Sequence, residues 1–197
     1  MEFKDGTSVF TIDQKDVGDL ERVVIDPETR RLTHIVVKKG HVLPEDTLVP
    51  VEKVVHASHD KVALTCSLDE IKELPPLEVT HTVPREGSTI YDRPVGGMYT
   101  TPPITPLVIS ETTRTIPENL VALKEGARVV SSDEKHVGNV ERVFTEDGKV
   151  THLTLSHGLL AKTEKSIPYE WVEMMGEEEV DLSVDAQEID TLPPVMK

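Results

Sequence analysis

The sequence predicts a mainly β protein built from two small barrels in tandem, each ending in a short helix and joined by a long connection. Three observations predict this fold: the chain repeats itself, Val- and Ile-rich runs recur about every ten residues, and each copy closes with Leu-Pro-Pro. We place the first repeat at residues 1–77, a Pro- and Thr-rich connection at 78–117 and the second repeat at 118–197. Each repeat is long enough to bury a small core.

The repeat is read directly from two segments that lie 120 residues apart. Val17–Val23 reads Val-Gly-Asp-Leu-Glu-Arg-Val, and Val137–Val143 reads Val-Gly-Asn-Val-Glu-Arg-Val. After the next turn the offset drops to 118 and stays there through both Leu-Pro-Pro segments. Removing two residues changes a turn but preserves the alternation of the following strand. The constant offset therefore indicates a tandem duplication.

The offset changes at a turn whose two versions differ in chemistry. The second copy carries Asp147-Gly148, which predicts a tight two-residue hairpin. The first copy carries the longer, Pro-containing segment 26–31, which predicts a wider turn.

Each repeat is expected to contain five strands, because its apolar runs are rich in β-branched residues and bounded by turn residues. The predicted strands are Val9–Ile12, Leu20–Ile25, Leu32–Lys38, Thr47–Val51 and Lys61–Leu64 in the first repeat, and Arg128–Ser131, Val140–Thr145, Val150–Ser156, Lys165–Pro168 and Val180–Leu182 in the second.

A short helix is expected at the end of each repeat. Ser67 and Glu70 have the spacing of a capping box, in which a hydroxyl and a carboxylate satisfy first-turn amides. Asp185 and Glu188 are their counterparts, and Leu-Pro-Pro ends both helices because proline disfavours helix in the residue before it.

The charge balance excludes several classes of function. Asp and Glu number 36 against 21 Lys and Arg, so the net charge is −15 and direct nucleic-acid binding is not expected. The first repeat contributes −5, the connection −1 and the second repeat −9. Met1–Asp5 has no apolar signal region, and no apolar run approaches the length of a membrane span, so we expect a cytoplasmic protein. The single cysteine, Cys66, excludes a disulfide framework and is expected to be a small buried side chain.

The connection has a composition of its own. It holds 6 of the 14 prolines and many threonines, yet Val79–Val83 alternates like a strand. Either part of it packs on the barrels or a partner, or most of it is disordered. Tyr91, Met98 and Tyr99 cluster in its middle and are the candidate partner contacts.

The repeated pattern resembles the PRC-barrel family, named for the photosynthetic reaction centre H subunit. The shared elements are Val-Gly-x-[Leu/Val]-Glu-x-Val, Thr-His-[Ile/Leu], [Val/Ile]-Pro-x-Glu-x-Val and the terminal Leu-Pro-Pro, over residues 3–77 and 121–195. The resemblance implies small, highly curved β-barrels with a short helical end, and a binding module more than a catalyst.

Two settings of that family are the cytoplasmic domain of the H subunit and the C-terminal domain of a ribosome maturation factor that processes 16S rRNA. This sequence has neither a membrane-spanning helix nor an N-terminal domain of the maturation-factor type. It looks like the free-standing tandem proteins of prokaryotes, so the resemblance predicts the fold better than the function.

The histidines are the strongest candidates for chemistry. His34 and His152 occupy the same place in both repeats, either as metal ligands or proton acceptors, or as framework residues bonded to nearby backbone. We favour the framework role. His56 and His59 have an H-x-x-H spacing, but the second repeat places Met and Glu there. No nucleophile, base and orienting group come together, so we expect no catalytic residue, cofactor or metal.

Other duplicated residues are interpreted as structural. Gly18 and Gly138 are expected where a strand bends or φ is positive, and Pro50 and Pro168 stand at equivalent strand ends. The dipeptide Glu-Arg recurs at residues 21–22 and 141–142, where it forms either a solvated cross-strand ion pair or a contact surface.

These features favour a non-enzymatic adaptor or assembly protein that acts through barrel surfaces and strand edges. A duplication can mimic a two-fold dimer within one chain, and either a protein partner or self-association fits. The alternatives are a ribosome maturation or RNA-processing support factor and, less favoured, a metal-dependent sensor or enzyme that uses the histidines. Membrane association is expected only through a partner, since no basic amphipathic helix is present.

Overall fold

The computed structural model describes residues 1–38, 40, 43–84, 108–157 and 163–195. The fold is mainly β, with 53% strand and 11% helix. Both repeats lie in one compact unit, Met1–Leu77 with Ile116–Lys197, while Glu78–Thr115 forms a second unit.

The first repeat is a run of short strands around one long strand, β3. Its described strands are β1 (Glu2–Phe3), β2 (Ser8–Phe10), β3 (Asp16–Asp26), β4 (Arg31–Val37), β5 (Thr47–Pro50), β6 (Val54–Ala57) and β7 (Lys61–Leu64). A 3₁₀ turn at Val51–Lys53 joins β5 to β6.

Helix α1 (Leu68–Lys72) closes the first repeat. The Ser67 hydroxyl accepts a hydrogen bond from the backbone N–H of Glu70 at 3.4 Å, and the Glu70 carboxylate accepts one from the backbone N–H of Ser67 at 2.7 Å. The predicted capping box is confirmed.

The second unit is a two-stranded hairpin of β8 (Glu78–Pro84) and β9 (Val108–Arg114). The strands pair antiparallel, and Arg114 Nε lies 3.5 Å from Glu78 Oε1. The strand predicted from the alternation at Val79–Val83 is therefore confirmed.

The second repeat has the same order of elements. Its described strands are β10 (Val121–Lys124), β11 (Arg128–Val130), β12 (His136–Glu146), β13 (Lys149–His157), β14 (Thr163–Pro168), β15 (Val172–Met175) and β16 (Glu179–Leu182). A 3₁₀ turn at Tyr169–Trp171 joins β14 to β15, and helix α2 (Ala186–Thr191) follows β16. The Asp185 carboxylate accepts from the Glu188 N–H at 2.8 Å, as the sequence predicts.

All ten predicted strands are present, although β3 and β12 are longer than expected. Within the repeats, the sequence does not predict β1, β6, β10 and β15, because strands of two to four residues show too few positions for a period of two. In the connection it does not predict β9.

The two versions of the hairpin turn differ as predicted. Asp147 and Gly148 have φ values of 50° and 76°, the mirror-image geometry of a two-residue hairpin. In the longer turn the Asp26 carboxylate accepts from the backbone N–H groups of Glu28 and Thr29, at 3.0 and 3.1 Å. The wider turn is thus held by its own aspartate.

The strands of both repeats form one sheet. Its order is β15-β16-β11-β12-β13-β4-β3-β2-β7-β6, with β1, β5, β10 and β14 paired beside this path. The repeats meet where Arg31 of β4 pairs with Lys149 of β13. The sheet is not closed, so two separate barrels remain a prediction.

One apolar core runs through both repeats. Phe3, Ile35, Leu123 and Leu153 are each at most 1% exposed and belong to the same cluster. Cys66 is 2% exposed in that cluster, and burial raises the pKa of its thiol, as expected of a small core side chain. Because the core is shared, we expect the two repeats to unfold together.

Candidate functional site

The two repeats exchange their first strands. β1 of the first repeat pairs with β12 of the second, and β10 of the second pairs with β3 of the first. Phe3 lies opposite Val143, and Leu123 lies opposite Val23, so both pairings have the same register. Reciprocal pairing of equivalent residues is the geometry of a two-fold dimer, here built within one chain.

A small cavity lies between β3 and β12 and is lined by equivalent residues of the two repeats. We call this cavity the centre of the contact between the repeats. Its lining consists of Phe3 with Leu123, Asp5 with Glu125, Leu20 with Val140, Glu21 with Glu141, Arg22 with Arg142, and Val23 with Val143.

The duplicated Glu-Arg dipeptides lie at this contact. Arg22, Glu141 and Arg142 form half-buried ion pairs between the repeats, whereas Glu21 lies 3.9 Å from Lys38 of its own repeat. Arg142 also reaches Glu164 of its own repeat at 3.1 Å. The dipeptides therefore form the contact surface that the sequence left as one of two alternatives. The pairs between repeats are Lys4–Glu141 at 3.3 Å, Arg142–Glu2 at 2.8 Å and Arg22–Glu177 at 3.3 Å.

Two equivalent carboxyl groups meet at the same contact. The Glu125 carboxylate accepts a hydrogen bond from the backbone N–H of Asp5. Burial raises the pKa of Glu125 to about 7, and it also raises the pKa of Asp5. The contact between repeats therefore contains two acid groups that lose their protons at a higher pH than exposed carboxyl groups do.

One side of the two-fold contact is closed by the wide turn of the first repeat. Arg30 Nη1 lies 2.9 Å from Glu170 Oε1, and its guanidinium carbon lies 5.4 Å from the centre of the Tyr169 ring. The Tyr169 hydroxyl donates to the Pro27 carbonyl at 3.4 Å. Tyr169 is only 5% exposed, so turn and ring fill the space between the repeats.

The equivalent place on the other side is open. Val51 stands where the second repeat has Tyr169, and Glu52 stands where it has Glu170. The turn that faces them is the short one at Asp147-Gly148. A depression remains between the repeats, which we call the open groove; it is lined by Met1, Val51, Glu52, Val54, Thr145, Glu146, Asp147 and Gly148.

The open groove continues in both directions along the boundary between repeats. A depression beside Val51 and Glu52 also contacts His34 and Pro50. A second depression shares Thr145 and Glu146 with the groove and is also lined by His56, Phe144 and His152. The structure thus brings both duplicated histidines to one extended surface.

The two histidines differ in their contacts. His152 Nδ1 lies 3.0 Å from the Thr151 hydroxyl, and its ring stacks on Phe144 with centroids 4.3 Å apart. His34 Nδ1 is buried and has no hydrogen-bond partner among the described residues. Burial lowers the pKa of both rings, which favours neutral imidazoles near pH 7. The expected bond to nearby backbone is not made through either Nδ1.

The remaining duplicated residues position the backbone. Gly18 and Gly138 have φ values of 132° and 145°, and a Cβ there would lie 2.9 Å from the Lys38 carbonyl oxygen and 2.6 Å from the Ser156 carbonyl oxygen. These two close contacts and the positive φ values explain why only glycine fits at these positions.

The duplicated prolines lie beside the histidines. Pro50 is opposite His34 in the strand register, and Pro168 is opposite His152. With φ values of −58° and −64°, they begin the two 3₁₀ turns that carry Val51 and Tyr169.

Other sequence predictions have different outcomes. Tyr91, Met98 and Tyr99 lie outside the described residues. His59 Nε2 lies 3.0 Å from Asp60 Oδ1, and no group of three His, Cys, Asp or Glu side chains with the geometry of a metal site occurs in the described ranges. In the same part of the chain, no helix is long and apolar enough to cross a membrane.

The sequence reasoning missed the residues that make the two sides unequal, Arg30, Val51 and Tyr169. A signal was available: the aligned repeats differ by Val against Tyr at one position and by two residues in the facing turn. The sequence could not predict that the turn of one repeat lies beside the 3₁₀ turn of the other. The strand exchange that brings them together leaves no pattern in the sequence.

Comparison with known protein families separates the two repeats. Residues 5–66 match the PRC-barrel domain. Residues 123–190 match a different domain, described as "Uncharacterized protein conserved in bacteria (DUF2171)". A search of curated proteins finds no match to the chain.

Proposed function

We propose that this chain, with its PRC-barrel domain and its DUF2171 domain, is a non-enzymatic protein-interaction or assembly module. We also infer that the second repeat is a divergent copy of the same small barrel. The observation that carries the proposal is the reciprocal exchange of β1 and β10, which gives one chain the organisation of a dimer. An internal dimer offers a partner two related but unequal surfaces.

Strand edges supply the mechanism of association. β6 and β15 occupy equivalent places at the two ends of the sheet path, and each pairs with one neighbour among the described strands. Unpaired N–H and C=O groups along such an edge can be extended by a strand of a partner or of a second copy. Exposed apolar side chains lie on both edges: Val55 is 59% and Met174 65% exposed.

The test compares edge variants with a matched surface variant. The chain is isolated from its native cells at low salt, its companions are identified, and its mass in solution is measured by light scattering. Val55→Lys and Met174→Lys should release the companion or dissociate the oligomer, because a lysine blunts an edge strand. Ile12→Lys is the control, since Ile12 is 66% exposed but lies outside the strands.

Two outcomes decide the proposal. Loss of association in the edge variants, with unchanged thermal unfolding and a normal Ile12→Lys protein, supports it. A monomer that is recovered without companions, or association that resists all three substitutions, counts against it.

A further inference from the structure

The open groove has a filled counterpart in the same molecule. On the closed side, the position equivalent to the groove holds Arg30, with its guanidinium on Glu170 and over the ring of Tyr169. Because the two sides are built from equivalent segments of reciprocally paired repeats, the closed side shows which kind of group occupies this place when it is filled. That group is an arginine on an extended turn.

The open groove keeps the acidic half of this arrangement and lacks the arginine. The basic group in its lining is the α-ammonium of Met1, which donates to the Thr145 carbonyl at 2.7 Å. Glu52 replaces Glu170, while the facing turn contributes Glu146 and Asp147 in place of an arginine. All three carboxylates are exposed, and none makes a hydrogen bond or ion pair through its side chain within the described part of the chain. Three carboxylates against one ammonium leave the lining of the groove with a net negative charge, which attracts a further cation.

The wall of the groove is apolar and is bordered by an edge strand. Val51 is half-buried and Val54 is buried, so the groove has an apolar floor between its acidic rims. Val54 begins β6, which pairs only with β7 among the described strands. An extended segment with alternating apolar and basic side chains fits this combination of floor, rim and edge.

We propose that the open groove binds an extended, arginine-bearing segment of a partner protein, with a guanidinium received by Glu52 and the carboxylates of the opposite turn. This inference rests on the proposed function and names the partner chemistry of one surface. Arginine suits the site better than lysine, because its planar fork can bond two carboxylates at once and lies flat on an apolar floor.

The probe is a capped heptapeptide, Thr-Val-Arg-Val-Arg-Val-Thr, titrated into the full ¹⁵N-labelled chain while backbone amide shifts are recorded. Saturable shifts should be confined to Val51–Ala57 and the segment 145–149. A peptide with lysine in place of arginine should bind more weakly. A peptide with citrulline, which keeps the shape and removes the charge, should not bind measurably.

Charge-matched variants separate the groove from the general acidity of the chain. The double variant Glu52→Gln with Glu146→Gln should weaken peptide binding by about tenfold or more, because charge-assisted bonds are lost. The control double variant Glu170→Gln with Glu173→Gln removes the same charge near the closed side and should change binding by less than about twofold.

Several results would overturn the inference: shifts spread over the acidic surface, equal weakening in both double variants, or equal binding of the citrulline peptide. Concentration-dependent shifts at the groove without peptide would assign it to a second copy of the chain instead. If a companion isolated from cells still binds the Glu52/Glu146 variant, the proposed function stands and the groove assignment falls.

Discussion

The closed and open sides of the contact between repeats descend from one duplicated element, yet they have opposite characters. On the closed side Tyr169 is buried under a wide turn that carries Arg30. On the open side Val51 faces a turn that is two residues shorter. Two local differences, one side chain and one turn length, distinguish the packed contact from the groove.

The difference shows how a duplication can separate stability from binding. A two-fold contact needs to be packed at its centre, where Phe3 and Leu123 are each 1% exposed. Its periphery contributes less, so one side can be opened without unfolding the chain. The exposed carboxylates of the open side would be costly in a packed contact and are tolerated in a solvated groove.

The largest expected effect is the loss of stability when the core at the centre of the contact is truncated. Both repeats should lose stability, because the exchanged strands carry these core side chains. Phe3→Ala should lower the free energy of unfolding by about 3–5 kcal/mol and Leu123→Ala by about 2–5 kcal/mol, since both leave cavities in the core. The fluorescence of Trp171, the one tryptophan, reports urea unfolding of the second repeat. Phe3→Ala should shift this signal although Phe3 belongs to the first repeat.

The same samples can also contradict the expected coupling between the repeats. If the Trp171 transition stays in place while circular dichroism moves, the repeats unfold separately and the shared core does not couple them.

The second effect concerns the closed side. Tyr169→Val, which installs the residue of the open side, should destabilise the chain by about 2–3 kcal/mol because a buried ring is lost. Val51→Ala is the matched truncation on the open side and should cost about 1 kcal/mol or less, since Val51 is only half-buried. Equal losses, measured by urea unfolding, would mean that the two sides are packed alike.

The sequence was sufficient to predict the regular elements but not the contact between repeats. The alternation in β4, the Asp-Gly turn and the Ser67 cap are local features, and each is found where its residues predict it. The exchange of β1 and β10 is not local. A two-residue strand such as Glu2–Phe3 carries almost no periodic signal, and pairing it with its own repeat or with the other leaves the sequence unchanged.

The candidate groove was only partly predictable for the same reason. The duplicated His34 and His152 lie along the extensions of the groove, so they indicated the region of the molecule in which it is found. Val51 and Glu146 carry no motif, and they become a site only because the strand exchange places different repeats side by side.

A third prediction tests whether the centre of the contact responds to pH. The pKa of Glu125 is raised from an ordinary value of 4.5 to about 7 in the folded chain. Between these pH values the folded state binds more protons than the unfolded state, so this group makes stability fall as pH rises from 4.5 to 7. Glu125→Gln should flatten that fall and be more stable than the parent chain at pH 8.

Neighbouring charges enter the same measurement. The raised pKa of Asp5 also makes stability fall as pH rises. For Glu125, the hydrogen bond from the Asp5 N–H lowers the pKa, the charges of Asp5 and Glu141 raise it, and Lys4 lowers it. Urea midpoints across this pH range, with the exposed Glu118→Gln as a charge control, should show convergence of Glu125→Gln and the parent chain near pH 4.5. Parallel curves for all three proteins would contradict the role of burial.

The smallest expected effect concerns the ion pair of the closed side, and it bears most directly on the groove. Arg30 and Glu170 are 45% and 65% exposed, so Arg30→Ala should cost less than about 1 kcal/mol and less still in high salt. Arg31→Ala, at the first residue of β4 beside this turn, is the control, and Glu170→Gln completes a double-mutant cycle. A small coupling energy means that the packing of Tyr169 holds this side together and that Arg30 adds little stability. An arginine from a partner would then bind the open groove in the same way, without being needed for the fold. A coupling above about 2 kcal/mol would instead make Arg30 a structural element of the contact, and the closed side would cease to be a guide to what a reversible ligand of the open side looks like.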